Sequence, residues 1–337
     1  DRRILKRESF LNLSKGSYLF SKVAIMFVLS AIQTLTFVLI GNTILGIDGM
    51  YADYWYILFT TSCFANMLGL NISASFNSAV TIYILIPFLI IPQLLLSGVI
   101  VKFDKLNPSV TSQTKVPVWG EMMASRWAYE ALAVNQFVNN KYESNFYRFD
   151  KKMSKALFKK DWYLDVLIAK VDDAENLMND PKNKSQYEYD LTLLTNELTK
   201  ELAIPVKNPG MKPKYEALAM LKPGAFNKEI GDTTKAYLNE LKGYYRKMEE
   251  QSRQKRERVL MKIIKENKDG MTLLKSAYDN QNLNDLLTNS KTANRLLEID
   301  GHIIQKIDPI FLDPAQDGLI RAHFFAPRKP FFGSYYD

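Results

Sequence analysis

The sequence predicts an all-α membrane protein: three transmembrane helices followed by a large helical extracytoplasmic domain. Three observations predict it. Residues 23–47 carry no charged side chain, and residues 54–101 carry none either. Everything after Lys102 is rich in Lys, Arg, Asp and Glu. A polar patch, Asn71-Ile72-Ser73-Ala74-Ser75 through Asn77-Ser78, divides the second tract into two stretches of spanning length. A globular core seldom runs so far without a charge. A bilayer requires such runs, because a charge at its centre costs about 2.5 kcal/mol or more on insertion scales. The whole-chain mean hydropathy of -0.17 averages over these two unlike parts.

Residues 1–22 hold six basic residues, Arg2, Arg3, Lys6, Arg7, Lys15 and Lys22. Phe10, Leu11, Leu13, Tyr18, Leu19 and Phe20 alternate there with polar residues, as in an amphipathic segment lying in the membrane interface. An ordinary surface helix is the plainer alternative, and the apolar span that follows directly favours the interface. Val23 to Ile47 rises about 37 Å as a helix, against a hydrocarbon core of roughly 30 Å. Its polar members, among them Ser30, Gln33, Thr34 and Asn42, are expected to face other helices. The turn Gly46–Asp53 holds Asp48 and Asp53 and no basic residue. The positive-inside rule then puts residues 1–22 in the cytoplasm and this turn outside.

The second and third spans are expected at about 54–70 and 79–101, with Pro87 and Pro92 kinking the third. Three spans that start inside end outside, so residues 102–337 are expected to be extracytoplasmic. On that topology Asn71-Ile72-Ser73 faces the cytoplasm, and its N-glycosylation pattern is fortuitous. Residues 102–139 read as an outer re-entrant or interfacial segment, with Trp119, Trp127 and Tyr129 at headgroup depth. Residues 140–337 read as a helical domain with little or no sheet. Helices are expected at about 150–178, 185–203, 226–268, 271–288 and 290–306. Pro205, Pro209 and Pro213 with Gly210 mark a stiff connector. The polar centre of the long helix, Glu249 to Arg258, is either a solvated stalk or one arm of a helical hairpin.

Composition excludes more than it assigns. The net charge of +8 comes from 44 basic and 36 acidic residues. They are mixed through the charged part, so nucleic acid is not an expected partner. The single cysteine, Cys63, allows no disulfide framework or Cys-based metal site within the chain. His302 and His323 lack a partner at helical spacing, so no metal site is expected. Lys15-Gly16-Ser17 lacks the glycine-rich lead of a phosphate loop. Acidic pairs such as Asp172-Asp173 and Glu249-Glu250 read as solvated helix faces. Gln33, Asn66, Asn71, Pro87, Pro92 and Gln93 either line a substrate path or serve as packing devices between helices.

Several stretches resemble a known family. Arg7-Glu8, followed by an amphipathic stretch ending Tyr18-Leu19-Phe20-Ser21-Lys22 and then a span, is similar to the coupling segment and third membrane helix of ABC-2 type permeases. The G-type branch, with its White, sterol and multidrug half-transporters, is the nearest match. Leu96-Ser97-Gly98-Val99-Ile100 resembles the small-residue step and apolar plug at the outer end of that branch's fifth helix. Ser125-Arg126-Trp127-Ala128-Tyr129-Glu130-Ala131-Leu132, with Asn135-Gln136-Phe137, is similar to the segment just outside the membrane; it is the most specific of these matches. The resemblance covers about residues 5–139. The chain departs from the family in length, since about 200 residues follow Phe137; this points to a bacterial variant with a large outer domain.

The resemblance implies that Arg7 and Glu8 contact an ATPase and that Ile90 and Leu94 face the central substrate path. It implies that Val99 and Ile100 form an outer gate and that Arg126 and Glu130 brace the outer segment. It further implies a homodimer and an ABC ATPase domain that carries ATP and Mg, with no cofactor or enzymatic activity in this chain. Because the chain begins at Asp1 rather than Met, it is expected to be a fragment of a longer polypeptide; the resemblance implies an ATPase domain, separate or N-terminal to it, and a sixth helix just after Asp337. The leading functional reading is thus the transmembrane subunit of an ATP-driven exporter in the inner membrane, moving an amphipathic or lipid-like substrate. Membrane lipid and other envelope proteins are further expected partners. The alternative is a membrane-anchored helical scaffold or interaction protein without transport activity.

Overall fold

The computed structural model describes residues 14–76, 78–100, 103, 106, 116–205, 212–313, 324–327, 329–331 and 334–336. Arg7, Glu8, Lys102, Asn77, Pro209, Gly210 and His323 lie outside the described residues. The chain divides into two compact units, Asp1–Asn140 and Lys141–Asp337.

In the first unit α1 runs Lys15–Leu45, α2 Tyr51–Ser75 and α3 Ala79–Leu95. Residues 15–22 are therefore continuous with the charge-free run. The N-cap is Ser14, whose hydroxyl accepts from the Ser17 amide. At 31 and 25 residues, α1 and α2 are long and apolar enough to cross a membrane. The shorter α3, with 17 residues, rises about 26 Å. A one-turn helix α4, Val118–Glu121, leads into α5, Ala124–Asn139. α2 packs against both α1 and α5, and α3 also touches α5.

The packing of this unit is inverted relative to a water-soluble core. On α1, Ile25, Val28, Leu29, Ile32, Phe37, Leu39 and Ile40 are exposed, whereas Ser30, Val38 and Asn42 are buried. The Ser30 hydroxyl accepts from Ser62 Oγ at 3.0 Å and from Asn66 Nδ2 at 2.6 Å, both on α2. The Trp55 indole donates to the Ala31 carbonyl at 3.1 Å, and its ring stacks on Phe59. Threonine hydroxyls at 34, 36, 43, 60 and 61 donate back to carbonyls one turn earlier. Where lipid offers no hydrogen bonds, polar groups hold helices together and apolar groups face outward.

The second unit is built the usual way round. α6 spans Tyr147–Phe158 and α7 Leu164–Leu177, joined by a π-helical turn, Lys159–Tyr163. α8 spans Lys184–Ala203, and α9 runs Lys228–Glu266. α10, Gly270–Tyr278, and α11, Gln281–Thr288, follow. The core is Leu164, Leu167 and Val171 of α7, Leu191, Leu194 and Leu198 of α8, and Tyr237, Leu238, Leu241 and Tyr245 of α9. α9 runs antiparallel to α6 and α7, as the ion-pair ladder shows: Lys235–Glu175, Lys242–Asp165, Lys160–Glu249 and Arg256–Asp150. The polar stretch Glu249–Arg258 is thus a hairpin arm docked on α6 rather than a solvated stalk. The Arg256 guanidinium lies over Phe146, 4.7 Å from the ring centroid.

Two expectations fail here. The 271–288 helix is broken at Asp279-Asn280, where the Asn280 side chain caps α11 by accepting from the Leu283 amide. The expected helix at 290–306 is instead an antiparallel hairpin, β1 Leu296–Ile299 with β2 His302–Gln305. Its turn places Asp300 at φ 50 and Gly301 at φ 70, a left-handed pair that matches the twist of flanking strands. A second hairpin pairs β3, Lys329–Phe331, with β4, Ser334–Tyr336. The chain is mostly helical, but it is not purely α.

Candidate functional site

Of the residues implicated by resemblance, Ile90 and Leu94 lie on α3, Val99 and Ile100 just after it, and Arg126 and Glu130 on α5, whereas Arg7 and Glu8 lie outside the described residues. Pro87 and Pro92 lie inside α3, and each removes one backbone donor and frees a carbonyl a turn earlier. The helix then stops at Leu95 and passes into a buried step. Ser97 Oγ donates to the Leu94 carbonyl at 2.8 Å and accepts from the Val99 amide at 3.2 Å. Gly98 follows at φ 80, a conformation that side chains disfavour. This reversal leaves Val99 and Ile100 exposed, at 54% and 63%. Ile90 and Leu94, one turn apart on α3, are also exposed. All four of these apolar residues are thus individually exposed, as are most other apolar side chains of α3.

Arg126 and Glu130 are brought together in a buried cluster at the start of α5. The Arg126 side chain has no solvent exposure, and Glu130 keeps 5%. One guanidinium nitrogen donates to Glu130 at 2.6 Å and another to Glu121 of α4 at 2.9 Å. The guanidinium also lies 3.9 Å from the ring centroid of Trp127. The Trp127 indole donates to the Glu121 carbonyl at 2.8 Å. A single cation therefore fixes α4 against the first turns of α5, in charge-assisted bonds stronger than neutral ones.

Two further bonds anchor α5 to the long helices. Ser125 Oγ donates to the Gln93 carbonyl at 2.7 Å, one of the last carbonyls of α3 and without a helical partner. Tyr54 OH of α2 donates to Gln136 Oε1 at 2.5 Å. Tyr54 and Ser125 were missed as connectors by sequence reasoning. Their signal is slight: a hydroxyl near a helix end. Of the residues left between a substrate path and packing, Asn66 packs against Ser30, whereas Gln33 and Asn71 are exposed. Among the described residues, no group of three or more His, Cys, Asp or Glu could hold a metal ion. His302 lies in the second unit, its Nδ1 3.1 Å from Glu197.

Against known proteins, residues 1–137 match the model of the family described as ABC-2 type transporter. No curated protein and no solved structure matches the chain. The matched stretch covers α1 to α3 and the Arg126 cluster and ends within α5. It indicates the membrane component of an ABC exporter-type transporter, a kind of permease that works in general with an ABC ATPase. The apolar, outward-facing helices agree with a membrane protein.

Proposed function

We propose that this chain is a transmembrane subunit of an ATP-driven exporter of the G-type ABC-2 branch, acting as a pair of copies on an amphipathic or lipid-like substrate. The observation that carries the reading is the family match over residues 1–137. The geometry supports it. A permease must offer a partner copy an apolar face beside the lipid-facing surface, and the exposed side chains of Ile90, Leu94, Val99 and Ile100 are free to contribute to one. In this reading ATP and Mg act on the partner ATPase, and Arg7 and Glu8 receive its motion. Closure of the paired copies then alternates the access of the path to the two sides of the membrane. α3 supplies a third crossing, with residues 102–337 on the outer, periplasmic side of the inner membrane. The Arg126–Glu130 cluster holds the outer segment rigid while α3 moves.

The test is export of a fluorescent phospholipid analogue from proteoliposomes that contain the chain and its ATPase. Leu94→Asp is expected to abolish ATP-dependent export while the second unit keeps its protease resistance. Leu94→Trp, which stays apolar but fills the path, separates a blocked path from failed insertion and is expected to slow export. Unchanged export in both variants would remove this face from the pathway.

A further inference from the structure

In the second unit, α6 and α9 enclose an open groove of about 390 Å³ lined by Arg148, Phe149, Lys152, Lys255 and Arg258. Arg148 and Lys152 are four residues apart on α6; Lys255 and Arg258 are three apart on α9. On a helix such positions are neighbours, about 5–6 Å between Cβ atoms, and like charges there repel. No acidic residue lines the groove. Several other cations nearby are matched: Lys151 and Lys155 of α6 to Asp313, Lys160 of the π turn after α6 to Glu249, and Arg253 of α9 to Glu250. Asp150, beside this groove in sequence, is taken by Arg256. Among the described residues none of the four groove cations makes an ion pair. The floor is Phe149, buried, and the Arg148 guanidinium stacks on it at 4.5 Å from the centroid.

We infer that this groove is an anion-binding site for a ligand bearing clustered phosphate groups. Four cations converging from two antiparallel helices exceed what one phosphate would neutralise. The two arginines add planar forks that suit phosphate oxygens. Pinning Arg148 on an aromatic ring orders its fork before a ligand arrives, which lowers the entropic cost of binding. A bound polyanion also removes the repulsion along each helix. A phosphorylated lipid headgroup and a soluble polyphosphate share this chemistry. The inference is independent of the transport reading, since a scaffold would bind the same ligand.

The test is titration of the full chain in detergent with tripolyphosphate, with orthophosphate at matched ionic strength as the comparison. Tripolyphosphate is expected to bind the wild type and to weaken as salt rises. The double variant Arg148→Gln/Lys255→Gln is expected to lose roughly tenfold or more in affinity, since 1.4 kcal/mol is tenfold. The control Lys184→Gln/Lys291→Gln removes the same charge from two highly exposed positions and is expected to bind as wild type does. A second arm compares a short-chain bisphosphorylated lipid with its free headgroup: tighter binding of the lipid assigns the site to a membrane headgroup, and equal binding assigns it to a soluble polyphosphate. Absence of tripolyphosphate binding, equal loss in both double variants, or equal affinity for orthophosphate would overturn the inference.

Discussion

Replacing Glu201 with Leu is expected to destabilise the second unit by about 3–5 kcal/mol, the usual cost of stranding a buried charge. Glu201 of α8 has no solvent exposure and sits between Lys159 Nζ at 2.9 Å and Lys212 Nζ at 3.0 Å. It also accepts from the Tyr245 hydroxyl. One turn earlier, Glu197 accepts from Tyr163 OH at 3.0 Å and from the Ile303 amide at 3.1 Å. The π turn Lys159–Tyr163 makes both contacts possible, presenting Lys159 to Glu201 and Tyr163 to Glu197. A single extra residue in a helix is often found at such specialised positions. The loss should appear as a lowered urea midpoint for proteolysis of the second unit in the full chain. Adding Lys159→Met should recover much of it, because an all-apolar replacement strands fewer charges.

The same residue sets a pH dependence. Burial alone raises the Glu201 pKa, but the ammonium groups of Lys159 and Lys212 and the Tyr245 hydroxyl outweigh it and hold the carboxyl at about 2. Its folded pKa thus lies below the ordinary 4.5, so its stabilisation is present above 4.5 and is lost as pH falls toward 2. Glu201→Leu should therefore flatten the acid limb of the stability profile. An unchanged acid limb would show that the ion pairs contribute nothing net.

Arg126→Ala should have an effect of similar size in the first unit, about 3–5 kcal/mol. It removes the cation that faces Glu130, leaves a void beside Trp127, and frees α4 from α5. Arg126→Lys should recover only part, because a point charge cannot span Glu121 and Glu130 as a fork does. Thermal unfolding in detergent should fall in the order wild type, Lys, Ala. An Ala variant as stable as wild type would mean that the cluster is not what holds α4.

Much of the fold was readable from the pattern of charge. The first empty tract became α1, the second became α2 and α3, and the long polar-centred segment became α9, because helix length follows from residues present locally. The antiparallel docking of α9 on α6 was not readable, since Glu249–Arg258 has few apolar residues and its partners lie about a hundred positions earlier. The β1–β2 hairpin was misread as helix, although Asp300-Gly301 between apolar residues is a strong turn signal. Its strands are four residues each, too short for the alternation to stand out. The Ile90–Leu94 face was least readable: on a helix apolar all round, sequence cannot separate lipid, partner and path. The groove cations drew no notice in the sequence, because they form one pair on each helix and only packing brings the two pairs together.

The account rests on α1, α2 and α3 crossing the bilayer an odd number of times. Single cysteines placed by Lys22→Cys, Lys160→Cys and Lys255→Cys, in a background with Cys63→Ala, report this through a membrane-impermeant maleimide applied to intact spheroplasts. The expected result is labelling at 160 and 255 without permeabilisation and at 22 only after it. Labelling of all three under the same condition would contradict the topology and the exporter reading with it.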